Sequence, residues 1–95
     1  FNKIQSLDTT DNTIILDPLS KKLKNFNFNV LISHGHNHTS LLQNLKKSIK
    51  SKKVSIIICN TIKGKGIKEM ESKIEWHYKT PTLDMINNFF KHNKI

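Results

Sequence analysis

Two short apolar runs with an amphipathic segment between them constrain the fold of this chain most strongly. Residues 54–60 form a β-branched apolar run bounded by polar residues, and residues 28–33 form a second apolar run, as buried strands do. A helix is predicted at residues 41–50 by an apolar stripe of Leu41, Leu42, Leu45 and Ile49. A strand, a helix and a strand joined by short links predict adjacent parallel strands with a right-handed crossover. We therefore expect an α/β fold in which helices cover a partial parallel sheet.

A helix is also predicted ahead of the first strand. Asp17 can cap a helix and Pro18 is tolerated at the first helical position, so together they predict a helix start. Asn27 tolerates the left-handed conformation better than most residues, and it predicts the end of this helix. One face of the segment between them carries the apolar residues Leu19, Leu23 and Phe26.

The chain ends in a further predicted helix, and it offers too few strands for a complete sheet. Pro81 and Thr82 open this helix, whose apolar face consists of Leu83, Ile86 and Phe90. No internal repeat or domain boundary is visible, so residues 1–95 are treated as one unit. Because a parallel sheet needs cover on both faces, either this chain packs on another or its missing strands lie upstream of Phe1.

A glycine-containing loop, read TIKGKG at residues 61–66, follows directly on the second predicted strand. Glycines at a strand end permit close approach of main chain to a ligand, and ligands bind outside the carboxyl ends of strands in open α/β sheets. Lys63 and Lys65 favour an anion there. The segment closes on Trp76 and His77, and a histidine can donate and accept hydrogen bonds. The alternative is a solvated basic loop without a ligand.

The charge of the chain is strongly positive but dispersed. The net charge is +9 over 95 residues, and every basic residue is a lysine. Arginine, the usual choice for bidentate contacts to bases and phosphates, is absent. Because the lysines are scattered rather than gathered in one segment, a dedicated nucleic-acid-binding module is disfavoured. We expect weak, sequence-independent binding of nucleic acid that fades with salt.

The remaining compositional features favour an intracellular protein. Cys59 is the single cysteine, so no intrachain disulfide is possible, and its place within a strand indicates a structural thiol. No apolar run is long enough to span a bilayer and no signal peptide is visible. We expect a cytoplasmic protein without membrane contact. The chain begins with Phe1 rather than Met, which indicates a fragment or part of a longer gene product.

Six short motifs follow one another along the chain. In order they are residues 2–5 (NKIQ), 16–19 (LDPL), 35–37 (GHN), 61–66 (TIKGKG), 70–71 (ME) and 76–77 (WH). In order and spacing they resemble the N-K-x-Q, L-x-P-L, G-H-D/N, T-x-K-G-K-G, M-E-N and W-H segments of transketolases, and most closely of the separately encoded N-terminal subunits of that family. Each motif is weak alone, but the ordered set is specific. The resemblance implies that residues 1–95 are the C-terminal part of a thiamine diphosphate-binding domain, truncated on its N-terminal side.

The resemblance also implies a function. Such enzymes use thiamine diphosphate and a divalent metal, Mg2+ or Ca2+, to transfer a two-carbon ketol unit from a ketose to an aldose, with the cofactor carrying the hard chemistry. The expected partners are a pyrimidine-binding transketolase section or subunit, in a dimeric assembly, and a sugar phosphate or related sugar. This chain alone is expected to be inactive. The alternative is a non-catalytic remnant or interaction piece of such a domain.

Four residues take functional roles by this resemblance. Asn2 corresponds to a side-chain ligand of the metal, and Ile4 to a main-chain carbonyl ligand; the family's acidic G-D-G motif is absent here. Ile62 corresponds to a residue that packs on the cofactor. His77 corresponds to a histidine that contacts both the diphosphate and the sugar. The plain alternatives are a solvated asparagine, an ordinary apolar residue at a strand end and a surface histidine beside a packed tryptophan.

Two further features bear on the resemblance. His34, His36 and His38 suggest a Zn2+ site, but Gly35 and Asn37 mark a turn, so the three histidines are interpreted as structural. The second feature is a departure from the family. Residues 68–69 are Lys-Glu where the family has a small residue followed by an aromatic one, which puts the closure of the loop in doubt.

Overall fold

The computed structural model describes residues 1–92, which form an α/β arrangement of short elements. In chain order these are β1 (Ile4–Gln5), β2 (Asp8–Thr9), α1 (Thr10–Thr13), α2 (Leu19–Asn25), β3 (Asn29–His34), α3 (His38–Ile49), β4 (Ser55–Asn60), a 3-10 helix (Ile74–His77) and α4 (Leu83–His92). The short strands β1 and β2 pair in antiparallel fashion.

The predicted βαβ unit is confirmed. Strands β3 and β4 pair in parallel, with Asn29 opposite Ser55 at one end and His34 opposite Asn60 at the other. Helix α3 connects them and packs against both. The boundaries differ slightly from those predicted: β3 begins and ends one residue later than residues 28–33, β4 begins one residue after position 54, and α3 begins three residues before position 41.

The face that α3 presents to the sheet is polar, so the predicted leucine stripe is largely wrong as a packing face. Asn44 is only 8% exposed, and its side-chain amide donates a hydrogen bond to the carbonyl oxygen of Ile32 at 2.9 Å. The Ser40 and Ser33 hydroxyl oxygens lie 2.9 Å apart. Three of the predicted stripe residues are at least half exposed, namely Leu42, Leu45 and Ile49. The reason is that Ser33 lies on this face of the sheet and is only 2% exposed, so its hydroxyl needs a polar partner, and Ser40 supplies it.

Helix α2 begins at Leu19 without the predicted aspartate cap. The Asp17–Pro18 peptide bond is cis, and Pro18, which has no side-chain donor or acceptor, occupies the cap position. The carboxylate of Asp17 instead lies 3.8 Å from the Lys3 ammonium. The predicted stop at Asn27 is confirmed by its φ of 67°. Phe26 lies beyond the last helical residue and is 75% exposed, so it does not share the packed face.

Helix α4 begins at Leu83, as predicted, but turns a different face inward. The Thr82 hydroxyl oxygen accepts a hydrogen bond from the Met85 amide at 3.3 Å and so caps the helix. Leu83 is 77% exposed and Phe90 is 55% exposed, which corrects the predicted apolar face. The partly buried residues are Met85, Ile86 and Phe89. Met85 and Phe89 line a cavity of about 380 Å³ between α4 and the glycine-containing loop.

The molecule is a thin plate rather than a globule. Its principal extents are 49 × 34 × 13 Å and its radius of gyration is 16.6 Å, whereas a compact domain of this length has a radius of about 12 Å. The accessible surface is 7510 Å², about a third more than folded proteins of this mass expose. Within residues 1–92, Ile58 is the only hydrophobic residue classed as buried.

The sheet is accordingly incomplete within the described residues, as the sequence predicted. The face opposite α3 carries aliphatic side chains from both strands, and Ile32 on that face is 60% exposed. The outer edge of β4 is paired only with the first residue, because the Phe1 amino group donates to the Cys59 carbonyl oxygen and the Thr61 amide donates to the Phe1 carbonyl oxygen. Among the described residues, no helix has the length and apolar character needed to cross a bilayer.

Candidate functional site

The turn after β3 lies directly against the carboxyl end of β4. The Gly35 amide donates a hydrogen bond to the Asn60 carbonyl oxygen at 2.8 Å. A Cβ atom at Gly35 would stand 2.5 Å from the Thr61 methyl group and 2.9 Å from the Asn60 carbonyl oxygen. No side chain fits that space, so glycine is required for this close approach.

The N-terminal segment reaches the same end of the sheet. The Phe1 amino group donates to the Cys59 carbonyl oxygen, and the Thr61 amide donates to the Phe1 carbonyl oxygen at 3.1 Å. Asn2 directly follows Phe1 in the chain, and Ile62 directly follows Thr61. The structure therefore brings these two predicted cofactor residues, separated by 60 positions in the sequence, to neighbouring main-chain positions.

The side chain of Asn2 is already ordered by a local contact. Its Oδ1 accepts a hydrogen bond from the Ile4 amide at 3.0 Å, and both residues are partly buried. Lys3, between them, has a φ of 62°, so the chain turns sharply at this point. The predicted metal ligands Asn2 and Ile4 thus lie on one tight turn that leads into β1.

A contact that the sequence analysis missed joins the two strand ends through a side chain. His36 Nε2 accepts a hydrogen bond from the Ile62 amide at 2.7 Å. Ile62 itself is 39% exposed. The three histidines do not form a metal site: among residues 1–92, no group of three histidine, cysteine, aspartate or glutamate side chains could hold an ion.

The glycine-containing loop, residues 61–72, is held together from within. Gly64 has a φ of 74°, and a Cβ atom there would stand 2.5 Å from the Met70 carbonyl oxygen. Glu71 Oε1 accepts a hydrogen bond from the Gly66 amide at 3.2 Å and lies 3.3 Å from Lys65 Nζ. These two contacts, the amide first and the ammonium second, lower the pKa of Glu71. The charge of Lys65 is thus partly engaged inside the loop.

The loop closes even though Glu69 replaces the aromatic residue of the family pattern. Trp76 Nε1 donates a hydrogen bond to the Glu69 carbonyl oxygen at 3.2 Å, and the Ser72 amide donates to the Lys63 carbonyl oxygen at 2.9 Å. Both contacts use main-chain acceptors, so they do not depend on the side chain at position 69. The contacts within the loop therefore form with Glu69 at this position.

His77 lies in a different element from the other predicted site residues. It ends the 3-10 helix and is exposed to solvent. In the part of the chain that the structure describes, no side-chain hydrogen bond joins His77 to Asn2, Ile4 or Ile62. The geometry therefore brings the N-terminal turn and Ile62 together but leaves His77 outside that contact.

Comparison with characterised proteins gives one consistent result. No protein-family model matches the chain. A subunit of the apulose-4-phosphate transketolase from Actinobacillus succinogenes is 34% identical over 85 residues, which cover 90% of this chain and 31% of the relative. The chain is homologous to transketolase subunits. The 6-deoxy-6-sulfo-D-fructose transketolase subunit SqwG from a Clostridium species is 33% identical over 86 residues, or 90% of this chain and 31% of the relative.

A third relative extends the same pattern. The corresponding apulose-4-phosphate transketolase subunit from Phocaeicola vulgatus is 27% identical over 84 residues, covering 87% of this chain and 30% of its own length. The predicted resemblance to transketolase N-terminal subunits is thus confirmed over nearly the whole chain. The chain spans less than a third of the length of each of these relatives.

The oxygens at the predicted metal position fit part of a coordination sphere. An amide oxygen has two lone pairs, and Asn2 Oδ1 uses one of them toward the Ile4 amide. Neutral amide and carbonyl oxygens suit hard cations such as Mg2+ and Ca2+, which take six or more oxygen ligands. Two neutral donors cannot offset the charge of such an ion. The predicted metal position therefore offers two neutral oxygen donors, and a divalent ion bound there would need acidic donors from other residues.

Proposed function

We propose that this chain contributes part of the thiamine diphosphate site of a transketolase-like transferase. One observation carries the proposal beyond the homology. The main chains that lead into Asn2 and Ile62 are hydrogen-bonded to each other at the carboxyl end of a parallel sheet, which is where ligands bind in open α/β sheets. Two residues to which the family assigns cofactor contacts are thus neighbours in space.

Each residue has a distinct task in this proposal. Asn2 Oδ1 and the Ile4 carbonyl oxygen would donate to Mg2+ or Ca2+, which neutralises the diphosphate together with carboxylates outside this chain. The Ile62 side chain would offer an apolar surface to the cofactor. His77 would hydrogen-bond both the diphosphate and the sugar. Bound thiamine diphosphate supplies the carbanion chemistry of ketol transfer.

The proposal includes partners and a compartment. The relatives are named as subunits of transketolases, so we place this chain in a dimeric assembly with a pyrimidine-binding section or subunit. The substrate is a sugar phosphate or a related sugar, and the two-carbon unit passes from a ketose to an aldose. Catalysis needs the assembly, and the isolated chain is inactive. The single cysteine supports a cytoplasmic location. The absence of arginine supports an enzyme without a specific nucleic-acid partner.

Calorimetry with thiamine diphosphate and saturating Mg2+ tests this proposal. The isolated chain should bind poorly, because its metal donors are neutral. Joined to an upstream segment that carries G-D-G, and mixed with a pyrimidine-binding partner, it should bind. Within that assembly, Asn2→Ala should weaken binding, Asn2→Asp should retain it because an oxygen donor remains, and the exposed Asn87→Ala should leave it unchanged. Micromolar binding by the isolated chain would show that the metal site is misplaced.

One observation favours the alternative of a non-catalytic piece. Within residues 1–92, the His77 side chain makes no hydrogen bond or ion pair with Asn2 or Ile62. If the assembly binds the cofactor and yet transfers no ketol unit from any ketose tested, the chain is a remnant that keeps the fold and has lost the reaction.

A further inference from the structure

The hydrogen bond between His36 and Ile62 selects one tautomer of the neutral imidazole. The Ile62 amide can only donate, so Nε2 of His36 must present its lone pair at the 2.7 Å contact. The neutral ring then carries its proton on Nδ1. The two residues lie 26 positions apart and belong to different strand ends, so the bond joins the turn after β3 to the start of the glycine-containing loop.

The turn that carries His36 is rigid on both sides. Gly35 packs against Thr61 with no room for a side chain and donates its amide to Asn60. The Asn37 amide donates to the His34 carbonyl oxygen at 3.0 Å, and Asn37 Oδ1 accepts from the Ser40 amide at 2.8 Å, which caps α3. His36 therefore lies on a turn that is hydrogen-bonded to both β4 and α3.

The loop that receives this bond needs an external anchor. Ile62 lies two residues past the end of β4, and Gly64 and Gly66 follow it with φ values of 74° and 108°. Glycines in this region confer a wide choice of backbone conformations. The contacts of Glu71 hold the far side of the loop, at Gly66. The Thr61 amide and the Lys63 carbonyl oxygen are bonded on either side of Ile62. The His36 contact holds the Ile62 amide itself, at the residue proposed to face the cofactor.

We propose that His36 is a positioning residue, which fixes the main chain of Ile62 and thereby sets where the Ile62 side chain stands toward the cofactor. This inference rests on the proposed function, because it needs Ile62 to meet thiamine diphosphate. It also requires the contact to be formed in the chain before any cofactor binds.

Nuclear magnetic resonance on the joined assembly, with this 95-residue chain isotope-labelled and no cofactor present, tests the contact itself. Amide hydrogen exchange is followed at Ile62 and, as an internal control, at Gly35, whose bond to Asn60 does not involve the imidazole. His36→Leu should speed exchange at Ile62 by about tenfold, the equivalent of one hydrogen bond, and leave Gly35 unchanged. His36→Gln, whose side-chain oxygen can reach a similar position, should restore part of the protection.

The experiment also needs a control substitution at a second histidine and a spectrum of the His36 ring nitrogens. His38→Leu should leave both amides unchanged, because His38 is exposed and its side chain makes no hydrogen bond in the described chain. The ring-nitrogen spectrum of His36 at neutral pH should show the proton on Nδ1. A proton on Nε2, an unprotected Ile62 amide in the unaltered chain, or unchanged exchange in His36→Leu would each overturn the inference. If His36→Leu unfolds, as loss of Gly35 protection would reveal, His36→Gln decides by the same Ile62 measurement.

A second measurement separates this inference from the proposed function. In the joined assembly, calorimetry should show about tenfold weaker binding of thiamine diphosphate for His36→Leu and unchanged binding for His38→Leu. If His36→Leu and His38→Leu bind thiamine diphosphate equally well, while His36→Leu still speeds exchange at the Ile62 amide, only the positioning role of His36 is overturned. No binding even by the unaltered assembly would overturn the proposed function, and with it the role of His36 toward the cofactor.

Discussion

At the scale of single residues, Glu71 shows how a flexible loop is given one shape. Its carboxylate accepts from the Gly66 amide and pairs with Lys65, which ties a glycine of positive φ to the residue that closes the loop. Both contacts favour the ionised carboxylate and lower its pKa. The order of this loop therefore depends on the charge state of one side chain.

The first prediction concerns the pH dependence of this loop. Because the pKa of Glu71 is lowered in the folded chain, its contribution is present above the unfolded-state pKa and is lost as pH falls through the lowered value. Protection of the Gly66 amide should weaken over that acidic range. Glu71→Gln should weaken it at neutral pH and remove the acidic transition. Glu69→Gln is the matched control, and an unchanged pH profile in Glu71→Gln would contradict the prediction.

The second prediction concerns His77 in the assembly. His77→Ala should lower the rate of ketol transfer by about tenfold to a hundredfold, the range expected for losing a hydrogen bond to a charged group. Steady-state kinetics measures this, with His38→Ala as an exposed histidine control. Turnover equal to that of the unaltered assembly would show that the role carried over from the family does not apply to His77.

At the scale of elements, α3 is attached to the sheet through polar groups. Asn44 reaches the main chain of β3, and Ser40 reaches Ser33. Hydrogen bonds are directional, so this interface specifies the orientation of α3 more closely than aliphatic contacts would. It leaves the aliphatic side of the helix, at Leu42, Leu45 and Ile49, free of cover within residues 1–92.

The third prediction is that Asn44 stabilises the βαβ unit. Asn44→Leu removes the donor to the Ile32 carbonyl oxygen, and the loss of one such hydrogen bond costs about 0.5–1.5 kcal/mol of unfolding free energy. Chemical denaturation should show this loss, whereas Gln43→Leu, at the adjacent exposed position, should change stability little. Greater stability of Asn44→Leu would mean that the interface tolerates apolar packing.

The longer elements could be predicted from the sequence, but the short elements β1, β2, α1 and the 3-10 helix, and the inward faces of α3 and α4, could not. Periodicity identified α3 and α4, yet Leu42 and Phe90 are exposed, because the face that meets the sheet or loop depends on the partner surface. The ordered motifs indicated Asn2 and Ile62 as site residues. The His36–Ile62 contact could not be predicted from the sequence, because it depends on how two turns meet in space.

At the scale of the whole molecule, the plate cannot bury its apolar side chains by itself. It is 13 Å thick in its shortest direction, close to the roughly 10 Å spacing of just two packed layers. Exposed aliphatic residues occur on both sides of the sheet, such as Ile32 on one face and Ile49 on α3. An assembly that covers these surfaces is therefore a physical requirement of the proposed function.

The fourth prediction concerns the net charge of +9. Lysines spread over the molecule should bind nucleic acid weakly and without sequence preference, with affinity falling steeply between about 50 and 200 mM salt. Fluorescence anisotropy with two unrelated duplexes of equal length measures this. Tight binding of one defined sequence at physiological salt would replace the transketolase-like proposal as the main function.

The thinness of the plate has a calorimetric consequence. Heat capacity changes in proportion to the apolar surface removed from water, and Ile58 alone among the hydrophobic residues of the described chain is classed as buried. Melting of the isolated chain should therefore show a small heat-capacity increment for its length. Association with the partner subunit should show a large negative heat-capacity change. The enthalpy of assembly should therefore become steadily more favourable as the temperature rises.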